Sequence, residues 1–360
     1  MQADPTKPSG SGTNTVPVTA LKAFIHSLFA ATGLSPAASQ RMADGLVEAD
    51  QQGLGSHGVS QAVVYLERLR LGSVTTAERA KLVVDGDVIA VLDAAHMLGH
   101  LAAEQAMDLA ISRAKARGVG VVAMRQGFHF GVSGRYAAQA ARQGCVGIVM
   151  CNAKPVMPAP GGAVPLVGTN PLAIAIPTAK EPLFVLDMAT SDGGLGKIRA
   201  AARRGDAIPS TWAVTATGMP TTDPAEALKG MLLPSGGPKG FALSFTIDLL
   251  CGLLSGGAWG DAVKGLYDDR SVPNDSSSLF IALDASHFRP LDEFTREAEL
   301  ARDRVLDSAA LPGVKPRTPG QALWFKWREQ QDQVAVDPVV LASLSRLAAD
   351  LGVAPFSDAR

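Results

Sequence analysis

The chain has 360 residues, of which 47% are apolar and 19% charged, so it can bury a sizeable core and is not intrinsically disordered as a whole. Its 33 basic residues balance 34 acidic ones, and a formal net charge of -1 offers no basic surface for nucleic acid or an anionic membrane. The three cysteines form no CxxC pair, which supports neither a disulfide framework nor a thiolate zinc site and favours a reducing, cytoplasmic setting.

The first part of the chain predicts a tail followed by helices. Residues 1–16 are polar, lack the apolar segment of a signal peptide and predict a flexible tail. Apolar residues then recur at helical spacing over 21–29, 36–53 and 60–71. Ser35 has the form of a helix N-cap, because a proline follows it at the first helical position. These segments predict a small helical unit.

A β-rich region begins near residue 81. Two apolar runs at 82–84 and 88–92 flank an Asp-Gly-Asp turn and predict a hairpin. The elements predicted after it are helices at 100–117 and 132–143, and strands at 119–124, 146–150, 172–176, 183–186 and 279–283. This pattern by itself would allow a parallel sheet around residues 119–150.

The longest apolar stretch, 241–259, has the length of a membrane span. Asp248 at its centre and three glycines instead favour a buried helix of a protein without a membrane segment. Amphipathic helical patterns return over 291–351. The sequence therefore predicts an α/β domain, 77–289, inserted into a helical lobe formed by 17–76 and 290–360.

Several short motifs are weak when taken alone. Residues 53–58 match the dinucleotide fingerprint G-x-G-x-x-G, but a polar-faced helix precedes them where a Rossmann fold needs a buried strand. His96 and His100 have the spacing of a zinc pair without an accompanying glutamate, so no metal site is predicted. The glycine–lysine clusters at 193–197 and 236–240 could be tight turns, or nests of N–H groups that hold a phosphate.

The polar segments between the apolar runs carry a more specific signal, because six of them occur together and in order. They are Ser56-His57-Gly58-Val59 with Tyr65, His129-Phe130-Gly131, Gly168-Thr169-Asn170-Pro171, Asp187-Met188-Ala189-Thr190-Ser191, Pro220-Thr221-Thr222-Asp223-Pro224, and the 233–240 segment LPSGGPKG. With these motifs the chain, over roughly residues 17–350, resembles the type-2 malate/L-lactate dehydrogenase family.

The resemblance implies a fold and a reaction. The fold would be α/β without a Rossmann domain, with a mostly antiparallel mixed sheet domain that binds the cofactor, inserted into the helical lobe. The reaction would be hydride exchange between NADPH or NADH and C2 of a small 2-oxo or 2-hydroxy acid, or of a cyclic 2-imino acid. It also implies a homodimer. A catalytically inactive nucleotide-binding relative is the alternative of another class.

The resemblance also assigns roles to residues. The catalytic ones would be His57 as the proton donor or acceptor, assisted by Ser56 and Asp187. The substrate would be bound by Gln61, Tyr65, His129 and Asn170. The cofactor would be bound by His129, Phe130, Thr169, Asp187, Met188, Ala189, Lys197, Gly236, Gly237 and Lys239. A histidine suits this chemistry because its unperturbed pKa of ~6.5 lets it exchange a proton near neutral pH.

One position departs from the family pattern S-H-G-V-x-R. Gln61 stands where the family has an arginine, and a neutral amide cannot offer a charged, bidentate partner to a carboxylate. Either another basic group such as Arg135 replaces the charge, or the substrate is bulkier or cyclic and apolar burial compensates. The sequence leaves both possibilities open.

Overall fold

The computed structural model describes residues 14–357. Its α-helices in that range are α1 (Val18–Ala30), α2 (Pro36–Gln51), α3 (Ser60–Leu71), α4 (Gly99–Arg117), α5 (Ser133–Ala141), α6 (Leu195–Arg204), α7 (Pro224–Lys229), α8 (Pro238–Ser255), α9 (Leu291–Leu306), α10 (Gln321–Glu329) and α11 (Pro338–Asp350). Its β-strands are β1 (Asn14–Pro17), β2 (Lys81–Asp85), β3 (Ile89–Asp93), β4 (Val119–Gly127), β5 (Cys145–Cys151), β6 (Met157–Pro158), β7 (Pro165–Val167), β8 (Leu172–Ile176), β9 (Phe184–Met188), β10 (Ala213–Val214), β11 (Met231–Leu232), β12 (Ser276–Asp284) and β13 (Gln333–Val336).

The described chain forms two compact units, which consist of residues 14–70 with 323–357 and of residues 71–322. The sequence places these boundaries at 76/77 and 289/290. The second unit extends further because Leu291, the first residue of α9, contacts Gly144, and the Val185 N–H donates to the Pro319 carbonyl at 3.2 Å. Residues 1–13 of the predicted tail, 1–16, lie outside the described residues. Residues 14–16 belong to strand β1 and not to a tail.

The first unit is built on the predicted amphipathic helices. Leu21, Ile25 and Leu28 of α1 are fully buried, and α1 packs against α2. The predicted cap of α2 is confirmed, because the Ser35 hydroxyl accepts the Ala38 N–H at 3.2 Å and Pro36 occupies the first turn. Strand β1 pairs antiparallel with β13, which ties the two ends of the described chain together.

The second unit contains a seven-stranded sheet in the order β2-β3-β4-β12-β5-β8-β9. Of these neighbours only β3 and β4 run parallel, so the expected mostly antiparallel sheet is confirmed and a Rossmann arrangement is absent from this sheet. The alternative of a parallel sheet around 119–150 is wrong. Strand β12, more than a hundred residues later in the sequence, inserts between β4 and β5 and runs antiparallel to both.

Helices cover both faces of this sheet. Gly120 of β4 and Gly147 of β5 lie against the carbonyls of Ala110 in α4 and Ala137 in α5, where a Cβ atom would collide with the helix backbone. Successive residues of a strand point to opposite faces of the sheet, so Ala123 of β4 lies on the face opposite to Gly120. Ala123 packs in a cluster with Ile247 of α8. Helices α4 and α5 therefore lie on one face of the sheet and α8 on the other.

Helix α8 corresponds to the predicted buried helix, but it is buried on one face only. Asp248 is buried there and accepts hydrogen bonds from the Asn152 side chain and the Gly260 N–H, both at 2.9 Å. On the opposite face Leu253 and Leu254 are 58% and 56% exposed. Across residues 14–357, every helix is too short or too polar to serve as a membrane span.

Candidate active site

The residues predicted to form the site divide between the two units. Ser56, His57, Gln61 and Tyr65 belong to the first unit, and all the other predicted site residues belong to the second. Each group is therefore described within its own unit.

His57 lies in the loop that joins α2 to α3. Its Nδ1 atom is 3.0 Å from the Ser56 hydroxyl oxygen, and its backbone N–H donates to the Leu54 carbonyl at 2.7 Å. Burial lowers the pKa of His57 below its ordinary value. The imidazole is thus predominantly neutral at neutral pH, with Nδ1 occupied by Ser56.

Gln61 and Tyr65 follow on α3 and are both buried. The Gln61 side-chain amide donates to the Ser56 carbonyl at 2.5 Å, so it fastens the loop that carries His57. Tyr65 is fully buried. Their roles as substrate ligands stay predictions, and the contact of Gln61 adds a structural role that the sequence did not indicate.

Asp50 contacts the loop that carries His57, and the sequence analysis did not identify it. Its carboxylate is buried at the end of α2 and accepts the Val59 N–H at 2.7 Å. A signal was available, because Asp50 follows Leu46 and Val47 at helical spacing and so falls on the buried face of α2. A charged residue in that phase of an amphipathic helix is unusual and points to a specific partner.

In the second unit, backbone hydrogen bonds bring three of the sequence motifs together. The Thr190 N–H donates to the Thr169 carbonyl at 3.0 Å, and the Ser235 N–H donates to the Thr190 carbonyl at 2.9 Å. The Asp192 N–H also donates to the Leu233 carbonyl at 2.9 Å. Segments that lie up to sixty-six residues apart in sequence thereby meet at one place.

That place has the features of an anion-binding site. Gly236 and Gly237 have φ angles of +63° and +62°, and the space where a side chain would begin is open. They directly precede the 18-residue helix α8, whose first N–H groups have no helical acceptor. The Lys239 side chain, at the second position of this helix, is exposed and adds a positive charge nearby.

Two buried hydroxyls adjoin the same glycine loop. The Oγ1 atom of Thr190 and the Oγ atom of Ser191 are inaccessible to solvent and have no hydrogen-bond partner among the described residues. Ser191 also forms a β-bridge with Pro234, two residues before Gly236. Since buried polar atoms in native proteins nearly always have partners, these hydroxyls fit a polar ligand in this region.

Asp187 lies at the end of β9, beside the start of α5. Its Oδ2 atom accepts the Gly134 N–H at 2.8 Å, and burial raises the pKa of Asp187 to about 6 although this hydrogen bond opposes the shift. Half-buried His129 lies in the loop that leads from β4 into α5. The second unit therefore brings Asp187 to the helix that follows His129.

Asn170 and Phe130 take part in the framework of the second unit. Asn170 is fully buried, and its side chain accepts the Ala153 N–H and donates to the Ser244 carbonyl, both at 2.9 Å. The ring of Phe130 packs against Tyr136, and its carbonyl accepts the Tyr136 hydroxyl at 2.8 Å. Their roles as substrate and cofactor ligands stay predictions.

The remaining predicted cofactor residues lie at strand and helix ends. Met188 is half-buried at the end of β9, and Ala189 after it is exposed. Lys197 in the first turn of α6 has its ammonium 5.8 Å from the ring centroid of Trp212. Within residues 14–357 no group of three or more His, Cys, Asp or Glu residues has the arrangement of a metal site.

Comparisons with known proteins identify the class of this protein. It matches the family described as malate/L-lactate dehydrogenase over residues 16–345. It is 35% identical to malate/(S)-sulfolactate dehydrogenase of Methanothermus fervidus, over 92% of this chain and 96% of that protein. It is 36% identical to ureidoglycolate dehydrogenase (NAD(+)) of Escherichia coli, over 86% and 88%.

Solved structures agree with these matches. Sulfolactate dehydrogenase from Methanocaldococcus jannaschii superposes with a TM-score of 0.90 and 34% identity, over 95% of this chain and 98% of that one. Δ1-piperideine-2-carboxylate reductase from Pseudomonas syringae gives 0.83 and 28%, over 93% and 100%. The protein is an oxidoreductase, and the chain belongs to the malate/L-lactate dehydrogenase family.

Proposed function

We propose that this protein transfers a hydride between NAD(P)H and C2 of a small 2-oxo or 2-hydroxy acid. The observation that carries the proposal is the convergence of Thr169, Thr190 and Ser235 beside the open glycine pair, Gly236 and Gly237, at the start of α8. This arrangement suits a phosphate-containing cofactor. It occurs in a chain that belongs to the malate/L-lactate dehydrogenase family.

The residues of the second unit fit a nicotinamide dinucleotide. The N–H groups of Gly236, Lys239 and Gly240 and the Lys239 ammonium would hold its phosphates, and the hydroxyls of Thr190 and Ser191 would bond its polar groups. When bound, the cofactor supplies or accepts the hydride. Relatives are named for NAD(+) and for NADP(+), and this chain's preference between the two stays open.

His57 is the group that we assign to proton transfer. Oxidation of a 2-hydroxy acid needs a base for the hydroxyl proton, which the neutral imidazole can be, and the protonated imidazole returns that proton when a 2-oxo acid is reduced. Ser56 occupies Nδ1 of the imidazole, so Nε2 is the atom that would exchange the proton with substrate. We assign the assisting catalytic carboxyl group to Asp187, and its pKa of about 6 keeps it largely ionised at neutral pH.

The substrate class is supported by the names of relatives. Malate, lactate and sulfolactate dehydrogenases act on 2-hydroxy acids, so a small 2-hydroxy acid is the proposed substrate. A second candidate is a cyclic 2-imino acid, which is favoured by the neutral Gln61 and by the likeness to the Pseudomonas reductase. Both reactions add a hydride and a proton to a carbon–heteroatom double bond.

The experiment is a substrate panel with purified protein. Loss of the ultraviolet absorbance of NADH and of NADPH is followed with pyruvate, oxaloacetate, sulfopyruvate, phenylpyruvate and Δ1-piperideine-2-carboxylate, each also without enzyme. We expect turnover with at least one oxo acid. Turnover of the cyclic imine alone would establish the second candidate, and no turnover with any compound would contradict both and favour an inactive relative.

We also propose that the chain forms a homodimer. The outer face of α8 exposes Phe245, Leu253 and Leu254, which gives one helix a continuous apolar surface. Burial of that face by a second copy would stabilise a dimer through the hydrophobic effect. Light scattering should give twice the chain mass of 37.3 kDa at micromolar concentration. A monomeric mass for the wild type at micromolar concentration would contradict the proposal. The variant Leu253→Glu should have the monomeric mass, because the added charge would disrupt the apolar interface.

Free thiols at Cys145, Cys151 and Cys251 are consistent with the proposed reducing, cytoplasmic setting. Two of the three are buried.

A further inference from the structure

The loop that carries His57 is held in place by side chains on both of its flanking helices. On the α3 side, the Gln61 amide donates to the Ser56 carbonyl, and the Ser60 hydroxyl donates to the Gly55 carbonyl at 2.7 Å. On the α2 side, the Asp50 carboxylate accepts the Val59 N–H at 2.7 Å. All these contacts lie within twelve residues of sequence, inside the first unit.

The Asp50 carboxylate lies directly beneath the loop. A Cβ atom on Gly58 would overlap with Oδ1, Cγ and Oδ2 of Asp50, so only glycine fits there while the carboxylate keeps its place. Gly55 also faces Asp50, since its Cβ would stand 3.4 Å from Oδ1. The loop on either side of His57 is therefore shaped against this one carboxylate.

We propose that Asp50 is a positioning residue, which sets the orientation of His57 for proton transfer by fixing the backbone from Gly55 to Val59. The inference rests on the proposed role of His57 and adds a residue to that site. Asp50 acts through the loop, because its hydrogen bond goes to the Val59 backbone two residues beyond the imidazole.

The hydrogen bond from the Val59 N–H to Asp50 predicts which substitution at position 50 keeps kcat near the wild-type value. Burial raises the pKa of Asp50 to about 7, so protonated and ionised forms coexist near neutral pH. Both forms retain an oxygen that can accept the Val59 N–H. An asparagine also offers such an oxygen and has nearly the same shape, whereas an alanine leaves the buried N–H without an acceptor.

The test compares Asp50→Ala and Asp50→Asn with the wild type, using whichever substrate the panel identifies. Asp50→Ala should lower kcat ~10- to 100-fold, because a catalytic group displaced by about 1 Å can lose a rate factor of that order. The Kd of the cofactor should change less than about threefold, since the proposed cofactor residues lie in the other unit. Asp50→Asn should recover kcat to within about fivefold of the wild type.

Asp44→Ala is the matched control, because Asp44 is also on α2 but its side chain is 37% exposed and pairs with Lys22. Its kcat should equal that of the wild type. If Asp50→Ala behaves like Asp44→Ala, or if its kcat and cofactor Kd worsen together and Asp50→Asn restores neither, Asp50 does not position His57. Absence of turnover in the wild type would refute the proposed function instead.

Gly58→Ala gives an independent test if Asp50→Ala does not fold. The added methyl group should push the loop away from an intact carboxylate and lower kcat at least about tenfold, with the cofactor Kd unchanged. The double variant Asp50→Asn/Gly58→Ala keeps the overlap and should be as slow as Gly58→Ala. Wild-type kcat in Gly58→Ala would overturn the inference, since the loop would then tolerate displacement.

Discussion

The His57 loop in the first unit and the glycine loop of Gly236 and Gly237 in the second are held in different ways. The His57 loop is fixed by side chains, Asp50, Ser60 and Gln61, that are close to it in sequence. The glycine loop is fixed by backbone hydrogen bonds that join Thr169, Thr190 and Ser235, which are up to sixty-six residues apart in sequence. The first arrangement suits an acid–base group that needs a defined orientation, and the second leaves N–H groups and open space for a ligand.

The largest effect should follow from removing the imidazole. We expect His57→Ala to lower kcat by ~10²- to 10⁴-fold, the usual contribution of a positioned acid–base group, while the cofactor Kd stays nearly unchanged. Steady-state assays measure kcat, and stopped-flow binding measures the Kd of the cofactor. His26→Ala serves as the control, because His26 is half-buried in the same unit but lies on α1. A loss of less than about fivefold would mean that His57 is not the proton donor, and His129 would replace it as the candidate.

The two units each hold a carboxyl group whose pKa is raised, and the unfolding free energy should depend on pH over a different range for each group. Burial raises the pKa of Asp50 from 3.8 to about 7 and that of Asp187 from 3.8 to about 6. A raised carboxyl pKa means that the stability contribution is complete below pH 3.8 and is lost as the pH rises through the folded-state value.

An asparagine at either position removes this pH dependence. Between pH 4 and 8, the unfolding free energy of Asp50→Asn relative to the wild type should therefore rise by at most about 4 kcal/mol, and that of Asp187→Asn by at most about 3 kcal/mol. Denaturant titrations at each pH measure this. The Asp187 effect should be complete near pH 6 and the Asp50 effect near pH 7. Equal pH dependence of Asp50→Asn and Asp187→Asn would refute the two different pKa values.

A smaller effect should follow from adding a side chain to the glycine loop. In Gly237→Ala the φ angle of +62° becomes strained and a methyl group fills the open space, so we expect the cofactor Kd to rise ~10- to 100-fold with little change in kcat at saturation. Fluorescence titration with NADH and NADPH measures the affinity. Gly218→Ala matches the strain, with φ +83° and open surroundings in a turn outside the site, and should leave the Kd unaltered. Equal losses in both variants would point to strain alone.

The smallest effect is expected at Gln61. An arginine there can still donate to the Ser56 carbonyl and adds a charge for a substrate carboxylate, so Gln61→Arg should keep kcat within about threefold and lower KM for small oxo acids several-fold. The best bulky or cyclic substrate should gain nothing. Gln61→Leu, which removes the donor, should instead lower kcat by loosening the loop. Identical KM values in parent and Gln61→Arg would show that position 61 does not contact the carboxylate.

The sequence indicated much of both regions because local patterns were sufficient. Helices α1, α2 and α3 follow from apolar spacing, and the hairpin of β2 and β3 follows from its turn residues. The order of the six motifs was enough to identify the family. Asp50 was overlooked although its phase on α2 was visible, because a single chain does not reveal that a charged residue is buried.

The tertiary structure decided what depends on distant segments. Insertion of β12 between β4 and β5 excludes a parallel sheet there, and no local pattern could predict it, because pairing partners more than a hundred residues apart are chosen by the packing of the whole sheet. The full burial of Asn170 and the half-exposed face of α8 were decided in the same way. Sequence by itself determined many of the elements, the motifs and hence the family, since these depend on residue type and spacing, but it did not indicate α6, α7 or β13. Only the fold determined which motifs meet and which polar atoms are left to bind a ligand, because burial and hydrogen-bond partners are properties of the packed chain.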